Sequence, residues 1–507
     1  MSALPVARME FRRHLRGKTP WLVGAFLVLL SRLPTPPSPA VQRELGRTAP
    51  LANAQVVLAM VIPLAAAALG YYAIIGERES GTIRILAGTA VSRAELVVGK
   101  VLGYSGALAV PVISGTLLVV GFDASRYGAV SIPSLVGLLV VALIYVLGCV
   151  TIVISLSTIV SSTTRAAVAV FGFATLGTIF WSDVTTPFLW QLIGGSPPGN
   201  TMQHVHRFEF LQWLSVTSSY YAITNWLFGA PVGPMSATLQ VEELLNQQSV
   251  SGSARPAYLA PWVSFLPLIG WPIGSLLLGI ATISRGDLAL SNRRDLWEHL
   301  PQRLHVSVGL LARLDNLSET LDALPGAWQP LARREFHRFT RSTGVWLVGA
   351  LVFVAAALSL SPRPVVRDAL GSVVPLAALQ NPIRLFGGAG ILFGTFRSVI
   401  SERDSGSIRV TAGTAASRTD ILVGILVGRV TAYVIPVSLA VIFVCLLAVP
   451  QYGLVPFGAL LGFIALTVVY LIAIAGLGVG ISVLSRSQPV AGGLVLGVVI
   501  LSFIWDT

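Results

Sequence analysis

Long apolar runs constrain the fold of this sequence more than any other feature. An α-helix rises about 1.5 Å per residue, so about 20 apolar residues cross the roughly 30 Å hydrocarbon layer of a membrane. Such runs occur at 18–31, 55–76, 98–121, 133–160, 166–183, 260–283, 344–360, 380–399, 422–448, 454–484 and 489–505. The sequence therefore predicts an all-α membrane protein, a polytopic helical bundle of about 11 transmembrane helices.

The content and placement of charge exclude two classes of protein. Only 11% of the 507 residues are charged, against roughly a quarter in a soluble domain, which excludes a water-soluble enzyme. The net charge of +12 does not indicate a nucleic-acid partner, because the basic residues lie between apolar runs and not on a soluble module. With a cytoplasmic N-terminus, 25 of the 34 basic residues fall in inner segments, the bias typical of cytoplasmic loops. We expect a multi-pass protein of the cell membrane with its N-terminus in the cytoplasm.

The chain contains an internal repeat with a constant offset of 325 residues. Residues 7–25, ARMEFRRHLRGKTPWLVGA, align without a gap with residues 332–350, ARREFHRFTRSTGVWLVGA. Residues 77–93 and 402–418 are identical at 12 of 17 positions. Six predicted spans separate equivalent positions, an even number, so the two copies have the same orientation and form parallel repeats.

The repeat predicts three regions along the chain. The first repeat covers 1–283 with six spans and an outer loop at 184–259, a cytoplasmic linker covers 284–328, and the second repeat covers 329–507 with five spans. Five spans would put the C-terminus outside. The outer loop is rich in aromatic residues, which is typical of a re-entrant segment that lies at the membrane surface. A gate for substrate release is the alternative.

A charged motif between the second and third spans occurs in both copies. It contains an acid-base-acid cluster, then Ser-Gly, an arginine, and a final Ser-Arg. A loop that needed only polarity would keep its composition without keeping its residues, so the repetition indicates a docking surface, although packing could also preserve it. The candidate residues are Glu77, Arg78, Glu79, Ser80, Gly81, Arg84, Ser92, Arg93, Glu402, Arg403, Asp404, Ser405, Gly406, Arg409, Ser417 and Arg418.

This motif resembles the permease subunits of ABC-2 type transporters, and most closely the branch with permeases of nitrous-oxide-reductase maturation and bacitracin-type export. The family's third span often opens with Gly-Lys, which is present as Gly99-Lys100, whereas the second copy has Gly424-Ile425. The resemblance implies an amphipathic elbow helix before the first span of each half, here at 4–16 and 329–341. It also implies coupling segments at 76–93 and 401–418 that dock on an ATPase.

The chain has no ATP-binding loop of the form G-x-x-x-x-G-K-[ST]. We therefore expect no catalytic residue and no cofactor in this chain, with ATP and Mg bound by a partner ABC ATPase in two copies. The predicted spans have almost no ionisable residue near the membrane centre, which disfavours an ion-driven carrier. Lys100 and Arg429 lie near predicted cytoplasmic ends, where we expect their side chains to reach the water.

A metal site is not expected. His204 and His206 have a spacing that could chelate a metal, but only Glu209 lies nearby as a further ligand. A catalytic zinc normally takes three protein ligands. Cys149 and Cys445 both lie in apolar runs and are predicted to be small core residues.

The sequence and the resemblance together predict the permease subunit of an ATP-driven ABC-2 type transporter, an exporter. The alternative is a permease-like component that transports nothing and couples ATP hydrolysis to the maturation or assembly of an outer-face protein. The substrate cannot be read from the sequence.

Overall fold

The computed structural model describes residues 3–32, 38–79, 92–128, 130–160, 163–179, 181–186, 189–190, 202–246, 256–285, 326–340, 342–360, 370–396, 398–404 and 417–485, with five positions between 491 and 498. These residues are helical and contain no strand. They divide into two compact units, one through residue 285 and the other from residue 326. The predicted all-α class is confirmed, while the predicted linker at 284–328 lies almost wholly outside the described residues.

The helices of the first unit are α1 Leu4–Leu15, α2 Lys18–Leu30, α3 Pro39–Leu45, α4 Ala49–Gly70, α5 Ile75–Glu79, α6 Arg93–Tyr127, α7 Ile132–Ile159, α8 Thr163–Gly172, α9 Met202–Trp213, α10 Val216–Phe228, α11 Ala237–Asn246 and α12 Phe265–Arg285. Those of the second unit are α13 Gln329–Thr340, α14 Thr343–Leu358, α15 Val374–Pro382, α16 Ala389–Thr395, α17 Ser398–Asp404, α18 Arg418–Tyr452 and α19 Phe457–Leu484. Helices α1 and α13 lie where elbow helices were predicted.

The number of candidate spans in the described residues is lower than predicted. Seven helices are long and apolar enough to cross a membrane, or eight if α13 and α14, bent by 61°, count as one span. The predicted total of 11 is not confirmed. The runs at 18–31 and 166–183 form shorter apolar helices, Pro20–Leu30 and Ala169–Thr178. The run at 489–505 lies largely outside the described residues.

The third span of each repeat begins and ends with the same local chemistry. At the start of α6 the Ser92 hydroxyl accepts from the Glu95 N–H while the Glu95 carboxylate accepts from the Ser92 N–H, which is a capping box. Ser417 and Asp420 do the same for α18. Both helices end at a glycine with positive φ, Gly128 and Gly453, a conformation that side chains with a Cβ rarely adopt. Each helix is consequently 35 residues long.

Glycines bring each elbow helix into close contact with the third span. A Cβ at Gly103 of α6 would stand 2.6 Å from the Glu10 Cβ and 2.7 Å from the Ala7 carbonyl oxygen of α1. The equivalent Gly428 of α18 faces Ala332 and Glu335 of α13 in the same way. Only a residue without a side chain fits at such a distance, so the two backbones pack directly on each other.

The second span of each repeat is interrupted just before the coupling motif, and a serine of the fourth span holds the interruption. The N–H groups of Ile74 and Ile75 donate to the Ser157 hydroxyl of α7, at 3.3 and 3.4 Å. In the second half, those of Val399 and Ile400 donate to Ser482 of α19, at 3.0 and 3.2 Å. These bonds satisfy backbone donors that the interrupted helix leaves unpaired.

The fourth spans differ in what covers them. Helix α12 packs on α7 through small residues, with Gly148 near Pro272 and Gly279 near Ser155. No described helix of the second unit takes the place of α12 on α19. Leu466 of α19 is 71% exposed, whereas the equivalent Val141 of α7 is 4% exposed.

Replacing Gly103 by leucine is expected to destabilise the protein. The new side chain would overlap α1, and overpacking of this kind costs about 1–3 kcal/mol or more. Gly121 lies on the same helix, and a Cβ added there would have nothing within 4 Å, so Gly121→Leu is the matched control. Thermal unfolding in detergent should give a lower Tm for Gly103→Leu alone. Equal melting of the two variants would show that the close packing is not required.

Candidate functional site

Three charged side chains meet in the first half, where α1, α5 and α6 approach one another. The Lys100 ammonium of α6 donates to Glu10 Oε1 of α1 at 2.8 Å and to Glu77 Oε1 of α5 at 2.7 Å. Glu10 is fully buried and Lys100 is 1% exposed. A buried carboxylate without a counter-charge is very unfavourable, so Lys100 is the group that allows Glu10 to be buried as an anion. We call these residues the Lys100 junction.

Two rings enclose this junction. His14 and Tyr104 pack with ring centroids 4.0 Å apart, and the Lys100 ammonium lies 5.9 Å from the centroid of the Tyr104 ring. Burial lowers the pKa of His14 below its ordinary value, so its ring is neutral near pH 7. The counter-charge that Glu10 receives from within the junction therefore comes from Lys100.

The second half buries the equivalent carboxylate with a different cation. The guanidinium of Arg429 in α18 donates to Glu335 Oε2 of α13 at 2.8 Å and to the Gly394 carbonyl of α16 at 2.6 Å. It also lies over the Phe339 ring at 4.6 Å from the centroid, a cation–π contact. We call these residues the Arg429 junction.

The two junctions are related by a shift of one helical turn. The repeat offset places Ile425 at the position of Lys100, and Arg429 at that of Tyr104. Residues four apart lie on the same face of a helix, so either position can reach the carboxylate of the elbow helix. The expectation that Lys100 and Arg429 extend to water is wrong: they are 1% and 5% exposed, because the elbow helices cover them and supply buried acids.

The structure describes some of the predicted docking residues and gives several of them a structural role. Arg78 and Arg403 donate to carbonyl oxygens of Val160 and Val483, at 3.5 and 3.3 Å. Ser92 and Ser417 cap α6 and α18, and Arg93 donates to the Ile283 carbonyl at the end of α12. Glu77 lies in the Lys100 junction.

The other predicted docking residues are only partly described or not described. The structure describes the backbone, but not the side chain, of Glu79, Glu402, Asp404 and Arg418. Outside the described residues lie Ser80, Gly81, Arg84, Ser405, Gly406 and Arg409. A role for all sixteen residues in docking stays a prediction.

The sequence reasoning missed the buried acids and the serines of the fourth spans. Glu10 and Glu335 lie inside the aligned segments ARMEF and ARREF, so the repeat already contained the signal. Ser157 and Ser482 are also 325 residues apart. A single acid in a basic amphipathic helix, repeated in both copies, could have indicated a buried ion pair.

Part of the outer loop is a buried helix. Helix α10 packs on α4 and α7, and most of its residues are buried. Gln55 of α4 is fully buried and donates to Thr224 and to Asn225 Oδ1, the latter at 2.7 Å, while its side-chain carbonyl oxygen accepts from the Ala237 N–H at 3.0 Å. Such a fully bonded polar cluster fixes one packing arrangement.

The second half has the same glutamine in another environment. Gln380, which is equivalent to Gln55, is exposed. A nearby bond is nevertheless retained in both halves: the Tyr145 and Tyr470 hydroxyls donate to the carbonyl oxygens of Ala59 and Arg384, each at 3.2 Å. Of the two histidines whose spacing could chelate a metal, His206 has its Nδ1 3.9 Å from Glu209 Oε2, and the side chain of His204 is not described.

Removing the glutamine is expected to matter in the first half only. Gln55→Leu leaves the Ala237 N–H and Asn225 Oδ1 without the bonds that Gln55 makes to them, at a cost of about 1–3 kcal/mol. Gln380→Leu changes an exposed residue and should stay within about 0.5 kcal/mol. Thermal unfolding of the two variants measures the difference. A similar Tm for both would contradict a structural role of the α4–α10 contact.

Removing the second-half cation is expected to destabilise the protein unless its partner is removed as well. Arg429→Met leaves Glu335 buried without its bonded cation, which costs about 3–5 kcal/mol in comparable buried pairs. Glu335→Gln in the same chain removes the charge and should recover much of the loss. A double-mutant cycle on thermal stability measures the coupling. Additive effects of the two substitutions would exclude the ion pair as a stabilising element.

The sequence was compared with known protein families. The family model described as an ABC-2 family transporter protein matches residues 4–288 and 329–507. The two matched segments include both elbow helices, both coupling motifs and both junctions. No individual curated protein matches the chain.

Proposed function

Since this match covers nearly the whole chain, the protein belongs to the ABC-2 family of transporter proteins, and we propose that it is the permease subunit of an ATP-driven exporter. Its long apolar helices make it a multi-pass membrane protein. The partner in this proposal is an ABC ATPase in two copies, one for each coupling segment, and that partner binds ATP and Mg. The N-terminus and both coupling segments are cytoplasmic.

The observation that carries the proposal is the way both ends of each coupling segment are fixed. At the entry, a serine of the fourth span binds two backbone N–H groups, and an arginine binds a carbonyl at the end of that span. At the exit, a capping box begins the third span directly. A displacement of either end of the segment is therefore passed to the second, third and fourth spans.

The proposed mechanism is mechanical. ATP binding brings the two ATPase subunits together, the coupling segments move with them, and each bundle of spans changes between inward-open and outward-open arrangements. The residues of this chain transmit force and hold the ends of the segments, and they take part in no covalent step. We also propose that the protein is a member of the branch with permeases of nitrous-oxide-reductase maturation and bacitracin-type export.

Purification of the tagged chain from its native membranes in mild detergent tests the proposal. We expect an ABC ATPase to co-purify at about two copies per chain, with ATP hydrolysis by the complex. Absence of an ATPase in several detergents would contradict the proposal. An ATPase with no flux of candidate lipids, peptides or drug-like compounds in inverted vesicles would instead favour a component that serves assembly of an outer-face protein.

Charge reversal in the coupling segments is expected to release the ATPase. Glu77 is bonded within the Lys100 junction, so Arg84 and Arg409 are better probes of the docking surface than the glutamates. Arg84→Glu combined with Arg409→Glu should reduce co-purified ATPase at least tenfold without lowering the Tm. The control is Arg43→Glu, an exposed residue of α3 on the predicted outer side. Unchanged ATPase recovery with the double variant would contradict docking through these arginines.

A further inference from the structure

The two halves hold the entry of their coupling segments differently. In the first half Lys100 bonds Glu77, at the entry of the segment, as well as Glu10 of the elbow helix. Glu77 and Lys100 are 23 residues apart, and the coupling segment connects them. This ion pair therefore closes the coupling segment into a loop. The segment ends at Arg93, and its entry at Glu77 is bonded to α6 seven residues further along the chain, at Lys100.

The second half has no side chain that could form the same closure from the same position. Ile425 stands where Lys100 stands, is fully buried, and is apolar, so it cannot bond a carboxylate. Arg429, one turn further along α18, bonds Glu335 and the Gly394 carbonyl of the second span. Gly394 lies before the interruption of the second span that Ser482 holds at Val399 and Ile400. Arg429 thus connects the elbow helix to the second span before this interruption, whereas the coupling segment follows it.

We propose, on the basis of the function proposed above, that Lys100 is a positioning residue that joins the first coupling segment, the third span and the elbow helix α1 into one moving body. In the second half, the described contacts of Arg429 join the elbow helix α13 to the second and third spans, and position 425 has no cation for the entry of the coupling segment. The same displacement of the ATPases therefore moves α1 directly, whereas it reaches α13 through the spans. The two halves of the permease respond unequally.

The shift between the two junctions suggests a substitution that separates the positioning role of Lys100 from its neutralisation of the Glu10 charge. Lys100→Ile combined with Tyr104→Arg transfers the second-half arrangement to the first half. Glu10 keeps a buried cation, as Glu335 does, while the bond to Glu77 is lost. Lys100→Arg is the conservative control, since a guanidinium at this position can still reach both carboxylates. Glu77→Ala is a second test, which opens the closure and leaves the bond between Lys100 and Glu10 in place.

The measurement uses the complex with its ATPase and compares the two elbow helices in one molecule. Cysteines replace Arg8 of α1 or Arg333 of α13, which are equivalent and exposed, while both native cysteines are buried. The rate of reaction with a membrane-impermeant maleimide is measured with and without ATP and vanadate. In the otherwise unchanged complex, we expect ATP to change the rate by at least threefold at position 8 and by a smaller factor at position 333.

In the Lys100→Ile, Tyr104→Arg variant, the change at position 8 should fall to the smaller factor seen at position 333, which should itself stay the same. Lys100→Arg should retain the larger response at position 8, and Glu77→Ala should lower it to that smaller factor. A full response at position 8 in the transfer variant or in Glu77→Ala, with ATPase bound, would overturn the inference and leave the proposed function intact. Failure of the unchanged chain to bind any ATPase would instead overturn the proposed function.

Discussion

A single buried carboxylate in each elbow helix governs the packing beneath both coupling segments. Glu10 and Glu335 are fully buried in helices that are otherwise rich in arginine and lie at the edge of the bundle. Each acid must receive a cation, and the third span supplies it, because each carboxylate is buried where the two helices pack closely through glycine. The elbow helix is consequently fixed to the third span by charge as well as by shape. The capping boxes then fix where that span begins.

The repeat allowed much of the fold to be predicted from the sequence. The same offset of 325 residues relates the elbow helices, the capping serines, the terminal glycines and the tyrosines that bond the second span. The capping serines and terminal glycines are local sequence signals, and the other features are matched residues in the two copies. Both kinds of feature can be recognised from one sequence. The elbow helices therefore lie where the resemblance placed them.

The sequence could not predict which polar residues are buried. Lys100 and Arg429 lie near the ends of apolar runs, where such side chains usually reach water, and only the packing of α1 and α13 reverses this expectation. The burial of α10 was hidden in the same way, because aromatic residues such as those of α10 are typical of a segment at the membrane surface. In both cases the partner lies far away in sequence, as with Gln55 and Asn225, which are 170 residues apart. Periodicity within one helix carries no information on such partners.

The shifted cation also bears on how the two halves diverged after duplication. Lys100 and Tyr104 in one half correspond to Ile425 and Arg429 in the other, so two substitutions separate the arrangements. An intermediate with isoleucine at the first of these positions and tyrosine at the second leaves the glutamate buried without a cation, which costs about 3–5 kcal/mol. That is a large share of the roughly 5–15 kcal/mol by which a domain is usually stable. An intermediate with lysine at the first position and arginine at the second keeps the acid paired with a cation at every step. The asymmetry is therefore best reached by gain of the second cation before loss of the first, through a half-permease that briefly carried both.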